Sequence, residues 1–170
     1  MTELDDKKFS VAEFIFVKIP YVIMGSLILI GVAINFSNVI SRYVFGNALF
    51  WVEEILVFMV IWSVFIGIAS IAYKGAHLKM DLVSAHIGNP WKTIINGIMV
   101  TAFILCCVFV ILQSYEVVSL MGRLGQVSVA ASVPMIIPHA ALLIGFGLMI
   151  LAVIIRIRSY FTGNFDMDNG

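Results

Sequence analysis

Long uncharged stretches alternate with short polar segments along this chain. In a lipid bilayer every backbone polar group must find a partner inside the protein, so an apolar segment there has to be helical. About 20 residues of helix cross the roughly 30 Å hydrocarbon core of a bilayer. Three uncharged stretches reach about this length, at residues 19–41, 55–73 and 93–115.

A fourth uncharged stretch covers residues 124–155, but its composition is uneven. Residues 124–133 are rich in small and polar side chains, whereas Pro134 and Pro138 favour the start of a helix. We therefore predict the fourth span at residues 135–155. The whole pattern predicts an all-α integral membrane protein, a single membrane domain over residues 1–170 with four transmembrane helices.

The composition strengthens this interpretation and excludes other classes of protein. Hydrophobic residues make up 62% of the chain, charged residues make up 12%, and the mean hydropathy is +1.09. A soluble domain has about twice that share of charged residues, and a fold of this size cannot hide so much apolar surface from water. A soluble enzyme, a disordered chain and a nucleic-acid-binding protein are therefore excluded, the last also because the chain has no basic stripe.

The distribution of basic residues predicts the orientation of the helices. Loops on the cytoplasmic side of membrane proteins carry an excess of lysine and arginine. We therefore expect both termini and residues 73–92 in the cytoplasm, with residues 42–54 and 116–133 on the outer side. The side with the termini holds Lys7, Lys8, Lys18, Lys74, Lys79, Lys92, Arg156 and Arg158, and the other side holds Arg42 and Arg123.

The boundaries of the spans carry aromatic residues, as is typical of rings at a membrane–water interface. Between the second and third spans, residues 78–89 place apolar side chains on two opposite helical faces. This pattern is consistent with a short interfacial helix wedged between lipid and protein. The aromatic residues at the cytoplasmic boundary are Tyr21, Tyr73, Trp91, Tyr160 and Phe161, and those at the outer boundary are Tyr43, Phe45, Phe50 and Trp51.

The middle of every predicted span lacks Asp, Glu, Lys and Arg. Carriers that couple transport to protons or ions normally keep an ionisable group at depth, although carbonyl and hydroxyl oxygens also bind sodium. The absence favours an accessory membrane subunit. It disfavours a pump or exchanger that works without a partner. The alternative to an accessory subunit is a small exporter that transports by itself as a homodimer.

Three charged residues meet at the predicted outer hairpin. The first span ends near Arg42, and the second begins near Glu53 and Glu54. One interpretation is an ion-pair cluster that joins the two helices or binds a partner. The alternative is that these are ordinary charges at the membrane edge, with the acids also favoured by the positive end of a helix dipole.

Polar and small residues within the spans indicate helix contacts. Asn35 and Asn38 are amides in the first span, and an amide in hydrocarbon needs a hydrogen-bond partner, either on another helix of this chain or on another subunit. Small residues four positions apart allow helices to approach closely. Such pairs are Ser63 with Gly67, Gly97 with Thr101, and Ala141 with Gly145.

Three histidines suggest a second class of function, a membrane anchor that binds haem or quinone for a redox complex. Haem in a four-helix anchor needs two histidines that face each other at similar depth. His77 and His86 are predicted on the cytoplasmic side and His139 near the outer side. This geometry disfavours haem.

An ordered series of motifs resembles a known transporter family. The series is NVISRYVF from Asn38, WVEE from Trp51, WSVFIG from Trp62, HLKMD from His77 to Asp81, and QVSVAASVP from Gln126. It is similar to the small membrane subunit, the DctQ-like or Q subunit, of tripartite ATP-independent periplasmic (TRAP) transporters, and the sialic-acid type is nearest. The resemblance covers about residues 35–151. One departure is PMIIP at 134–138, where an aromatic residue is expected after the first proline.

The resemblance implies a multi-pass protein of the bacterial inner membrane and names its partners. A soluble periplasmic protein captures an organic acid, and a large multi-span subunit carries the substrate and sodium sites and moves like an elevator. The small subunit is a non-catalytic scaffold among membrane lipids, with no cofactor of its own. Our candidates for subunit or helix contacts are Asn35, Asn38, Arg42, Tyr43, Trp51, Glu53, Glu54, Trp62, Gly67, His77 and Asp81.

Overall fold

The structure is a computed structural model that describes residues 11–75 and 91–162. These residues form four long helices and one short helix, with one isolated β-bridge between Val127 and Pro134. The four long helices are all long and apolar enough to cross a membrane, which confirms the predicted fold class. The helices are α1 (Ile19–Val44), α2 (Trp51–Tyr73), α3 (Trp91–Leu124), α4 (Ile136–Ile155) and α5 (Ile157–Thr162).

The first helix is extended toward the N-terminus by one stretch of π-helix. The π-helical residues Phe14–Lys18 run directly into α1, so that one continuous helix extends from Val11 to Val44. Pro20 lacks the N–H that an α-helix would donate to the carbonyl of Phe16 four residues earlier. The hydroxyl of Ser70 in α2 donates to that carbonyl instead, at 2.6 Å. The freed backbone oxygen therefore ties the start of the chain to the second span.

Helix α3 is longer than the uncharged stretch from which it was predicted. It continues from Tyr115 to Leu124, although Glu116 and Arg123 lie in this part. A charge marks where the chain leaves the hydrocarbon, not where its helix ends. The helix ends at Gly125, whose φ of +59° is a left-handed conformation that glycine adopts without strain. The predicted interfacial helix at 78–89 lies outside the described residues.

The four long helices lie side by side in the order α1, α2, α4, α3. Helix α1 contacts α2, α2 contacts α4, and α4 contacts α3, with no comparable contact between the described parts of α1 and α3. In a closed four-helix bundle the first and last helices of such an order would also meet. We call this arrangement the open row. It leaves broad apolar faces of these spans uncovered by the other described residues.

Small residues set the closest approach in the open row. At the crossing of α2 and α4, a Cβ atom added to Gly145 would lie 2.8 Å from the backbone oxygen of Phe65. Ala69 and Ala72 of α2 and Ala152 of α4 are fully buried at the same contact. Glycine and alanine therefore bring these two backbones together, as is usual for helices in membranes.

Candidate subunit interface

The loop between α1 and α2, residues 45–50, is fixed by side chains of the last turns of α1. The side-chain oxygen of Asn38 accepts the backbone N–H of Leu49 at 2.9 Å, and the hydroxyl of Ser41 donates to the carbonyl of Asn47 at 2.7 Å. Asn38 is buried. The sequence predicted a partner on another helix, but Asn38 lies so close to the helix end that the returning loop reaches it first. We call this end of the open row the hairpin end.

The adjacent acids at the start of α2 have different partners. Glu53 forms an ion pair with Arg42 at 3.6 Å, and both side chains are more than half exposed. This pair connects α1 and α2, and one of the two interpretations of the sequence proposed such a connection. An exposed ion pair contributes little to stability because water screens it.

Glu54 binds the segment between α3 and α4. Its carboxylate accepts two backbone N–H groups, from Ala130 at 3.0 Å and from Ala131 at 2.8 Å. A carboxylate that receives successive backbone N–H groups forms strong, charge-assisted bonds. Glu54 thus joins two parts of the chain that are far apart in sequence, a contact that the sequence did not indicate.

The segment 125–135 is a compact hairpin-like loop and not an irregular linker. The backbone N–H of Ser128 donates to the carbonyl of Val133 at 2.8 Å, and that of Met135 donates to Gln126 at 2.9 Å. The hydroxyl of Ser128 accepts the N–H of Val133. The loop displays Val129, which is 99% exposed, on the surface. Glu54 therefore fixes a loop that presents an apolar tip at the hairpin end.

The aromatic candidates differ in their surroundings. Tyr43 and Trp51 are exposed at the hairpin end, with Phe45 and Phe50 beside them. Trp62 lines an apolar groove of about 380 Å³ between α1, α2 and α4. Gly67 is buried where α1 and α2 meet, because a Cβ atom there would lie 2.6 Å from the sulfur of Met24. Gly67 therefore serves packing between α1 and α2, and Trp62 is half-buried.

Asn35 is a polar candidate that faces an open groove within a span. The groove has a volume of about 290 Å³ and lies between α1 and α2. Asn35 is exposed there, three residues from the buried Asn38 and therefore on nearly the same face of α1. No described group of this chain bonds its amide.

An aromatic cluster at the other end of the open row was not predicted as a contact. The rings of Phe16 and Tyr73 stack with centroids 5.5 Å apart, and the guanidinium carbon of Arg156 lies 5.1 Å from the centroid of Tyr73. Tyr73 and Tyr160 are buried. The sequence predicted both as aromatic rings near the cytoplasmic boundary, and it did not predict that other parts of the protein bury them. Folding places the N-terminal helix and α5 over them, and a sequence pattern does not show which boundary rings will be covered.

The short helix α5 is held against α2 through Tyr160. Its hydroxyl donates to the backbone carbonyl of Ala72, near the end of α2. Burial raises the pKa of Tyr160 to about 12, against the opposing charge of Arg156, so this hydroxyl stays protonated and able to donate at neutral pH. At the same end, the ammonium of Lys74 donates to the hydroxyl of Tyr21 at 2.8 Å. We call this end the termini end.

The structure describes one of the three histidines, His139. His139 Nδ1 lies 2.7 Å from the carbonyl oxygen of Met135, so this nitrogen carries the proton and donates. The described residues contain no group of three potential metal ligands. His77, His86 and the candidate Asp81 lie outside the described residues. Nothing in the described residues favours the haem or quinone alternative.

The fold and the position of its polar groups define a class of protein, a four-span helical membrane protein with its ionisable groups at the ends of the spans. The family model described as "Tripartite ATP-independent periplasmic transporters, DctQ component" matches residues 30–163, most of the chain, and the chain belongs to this family. It is thus a small membrane subunit of a TRAP transporter, as the motifs indicated. This is a family of transporter components and not of enzymes. Comparison with curated proteins and with solved structures gives no match.

Proposed function

We propose that this chain is a non-catalytic scaffold in a sodium-dependent TRAP transporter that imports an organic acid of the sialic-acid or C4-dicarboxylate type. The observation that carries the proposal is the position of the charges, none of which lies in the middle of a span. Coupled transport places polar or ionisable groups at the depth of the substrate. The sodium and substrate sites therefore belong to the large carrier subunit, and this chain needs no cofactor.

The open row supports a scaffold role. A closed bundle would cover its own apolar faces, whereas this arrangement exposes them along α1 and α3. The row is held at its centre by close backbone contact, as at Gly145. At its ends it is held by the hydrogen bonds that Glu54 accepts and that Tyr160 donates. A rigid, thin array of helices is suited to widening the static part of an elevator-type carrier while the transport part moves.

The proposal includes a location and a direction. The excess of basic residues at the termini end supports cytoplasmic termini in a bacterial inner membrane. The hairpin end then faces the periplasm. The periplasmic substrate-binding protein would approach from that side, where the exposed Val129 and Tyr43 lie.

Copurification and reconstituted uptake test the proposal. The full chain is coexpressed with the large subunit, purified in mild detergent, and assayed in proteoliposomes with the binding protein and an inward sodium gradient. We expect a stable complex, and uptake that needs both subunits and sodium. Uptake by this chain alone would favour the homodimeric exporter, and failure to copurify would contradict the scaffold role.

A further inference from the structure

Most hydrogen-bonding hydroxyls in the described spans donate to a carbonyl of their own helix. The hydroxyls of Ser37, Ser63 and Thr101 each donate to the backbone carbonyl four residues earlier, at 2.8 to 2.9 Å. A hydroxyl bonded in this way is compatible with contact to lipid, because it leaves no donor unpaired. These positions therefore require no partner outside the chain.

Asn35 forms no such described hydrogen bond with its own helix. It is exposed in α1, and no described group of this chain bonds its amide. Seven residues separate it from Arg42, which places it about 10 Å along the helix from the charge at the membrane edge. An amide at this depth is unfavourable in hydrocarbon unless another group donates to it or accepts from it.

The other two amides without a described bond differ from Asn35 in depth. Asn96 lies four residues from Lys92, and Gln113 lies three residues from Glu116. Side chains so near a charged boundary can turn toward the interface and bind water. Asn35 is therefore the one amide of the described spans that remains within the hydrocarbon without a described partner.

The groove beside Asn35 has room for a neighbouring helix to insert side chains. It lies between α1 and α2, has a volume of about 290 Å³, and is lined at its floor by Gly31 and at its sides by Val32, Val60 and Ser63. A lipid acyl chain would fill the apolar part but has no hydrogen-bonding group for the amide. A helix that carries a polar side chain at this depth would fill the apolar part of the groove and also form a hydrogen bond with the amide of Asn35.

We propose that the α1–α2 groove binds a transmembrane helix of the large carrier subunit, which presents a hydrogen-bonding group to Asn35. This inference rests on the proposed function, since it assigns the contact face of the same scaffold. It also separates the two uncovered edges of the open row. The edge formed by α1 faces the carrier. The surface of α3 around Thr101, whose hydroxyl already donates to a carbonyl of its own helix, faces lipid.

Photo-crosslinking with a matched pair of positions tests the assignment. Val32 in the α1–α2 groove and Ile98 on α3 are 63% and 64% exposed, so their intrinsic access to a neighbour is equal. Benzoylphenylalanine is introduced at either position in the full chain, coexpressed with the large subunit, and irradiated in membranes. We expect an adduct with the large subunit from position 32 and none from position 98. Ile28 and Leu105 provide a second pair on the same two surfaces.

Substitution of the amide provides an independent readout. We expect Asn35→Leu to reduce complex recovery at limiting subunit concentration by about threefold to thirtyfold, the range that one hydrogen bond between membrane helices supports. Asn35→Gln keeps the amide and should restore most of the recovery. Gln113→Leu on α3 should leave recovery unchanged.

The outcomes separate this inference from the proposed function. Copurification of the unmodified chain without a carrier adduct from 28 or 32 would overturn the groove assignment and leave the scaffold role standing. Adducts of this chain with itself would assign the groove to a second copy, and adducts with lipid alone would assign it to the bilayer. If the unmodified subunits do not copurify, both proposals fail.

Discussion

At the scale of single residues, two adjacent acids illustrate how neighbouring positions acquire different roles. Glu53 forms an ion pair with the exposed Arg42, whereas Glu54 receives two backbone N–H groups of the 125–135 loop. The sequence presents both as identical carboxylates before an apolar run. Only the fold distinguishes them, because the loop that approaches Glu54 comes from a segment more than 70 residues away.

We predict that Glu54→Ala loosens the 125–135 loop and that Glu53→Ala does not. Removing the acceptor leaves the N–H groups of Ala130 and Ala131 to water. Hydrogen exchange at these two amides should accelerate by about tenfold or more in Glu54→Ala. The measurement is hydrogen–deuterium exchange on the purified chain, and equal exchange in the two variants would show that the contact does not order the loop.

Asn38 gives a second prediction at this scale. Asn38→Ala leaves the N–H of Leu49 without its acceptor in a partly buried position, which we expect to lower the free energy of unfolding by about 1 to 2 kcal/mol. Ser37→Ala is the control, because that hydroxyl bonds only its own helix. Chemical denaturation in detergent measures both. A cost for Ser37→Ala as large as that for Asn38→Ala would contradict the account of the hairpin.

At the scale of helices, contact between α2 and α4 depends on one glycine more than on another nearby. Gly145 faces the backbone of Phe65, whereas a Cβ atom at Gly147 would meet no heavy atom within 4 Å. Both glycines belong to α4, two positions apart. The pair therefore separates the effect of close packing from the effect of glycine on helix formation.

We predict that Gly145→Ala lowers stability and Gly147→Ala does not. The added methyl group at 145 cannot avoid a backbone atom of α2, so the helices must separate at a cost of about 1 to 3 kcal/mol. At 147 the same change should be neutral or stabilising by up to about 1 kcal/mol, because alanine favours a helix over glycine. Thermal unfolding in detergent compares the two variants, and equal midpoints would show that the crossing is looser than described.

The attachment of α5 gives a further prediction. Tyr160→Phe removes the hydroxyl that donates to the carbonyl of Ala72 while keeping the buried ring. We expect a loss of about 1 kcal/mol and faster hydrogen exchange in α5. Tyr115→Phe is the matched control, since Tyr115 is exposed. Unchanged exchange in α5 would show that the ring alone holds this helix.

At the scale of the whole molecule, the open row exposes apolar faces along α1 and α3, and we propose that one of these faces meets lipid and the other a partner subunit. The buried side chains of the described residues form one cluster that joins the N-terminal helix, α2, α3, α4 and α5, and the long helices contact one another pairwise along the row. Such an array gains further apolar contact when a larger protein covers its edge. The DctQ family functions with a large TRAP subunit, and the proposed contact with that subunit would cover the edge formed by α1.

We predict that the hairpin end faces the periplasm. A single cysteine at Asn47 in the hairpin loop, with Cys106 and Cys107 replaced by serine, should react with a membrane-impermeant thiol reagent on intact spheroplasts. A single cysteine at Val11 should react only after the membrane is opened. The reverse labelling pattern would overturn the orientation inferred from the basic residues.

The sequence by itself determined the number of spans, the helical class and the family. These depend on local composition, because lipid forces any long apolar segment into a helix whatever its neighbours are. The family motifs are likewise read along the chain, and the match over residues 30–163 confirmed them. The candidate contact residues remain predictions, with His77 and Asp81 outside the described residues.

Only the tertiary structure decided which residues are covered and by what. The buried state of Tyr73 and Tyr160, the binding of a distant loop by Glu54 and the order α1, α2, α4, α3 all depend on segments far apart in sequence. Hydrophobicity gives no such order in a membrane, because lipid and protein are equally apolar surroundings for a leucine. Close approach at small residues and a few directional hydrogen bonds select the arrangement, and these exist only once the helices have met.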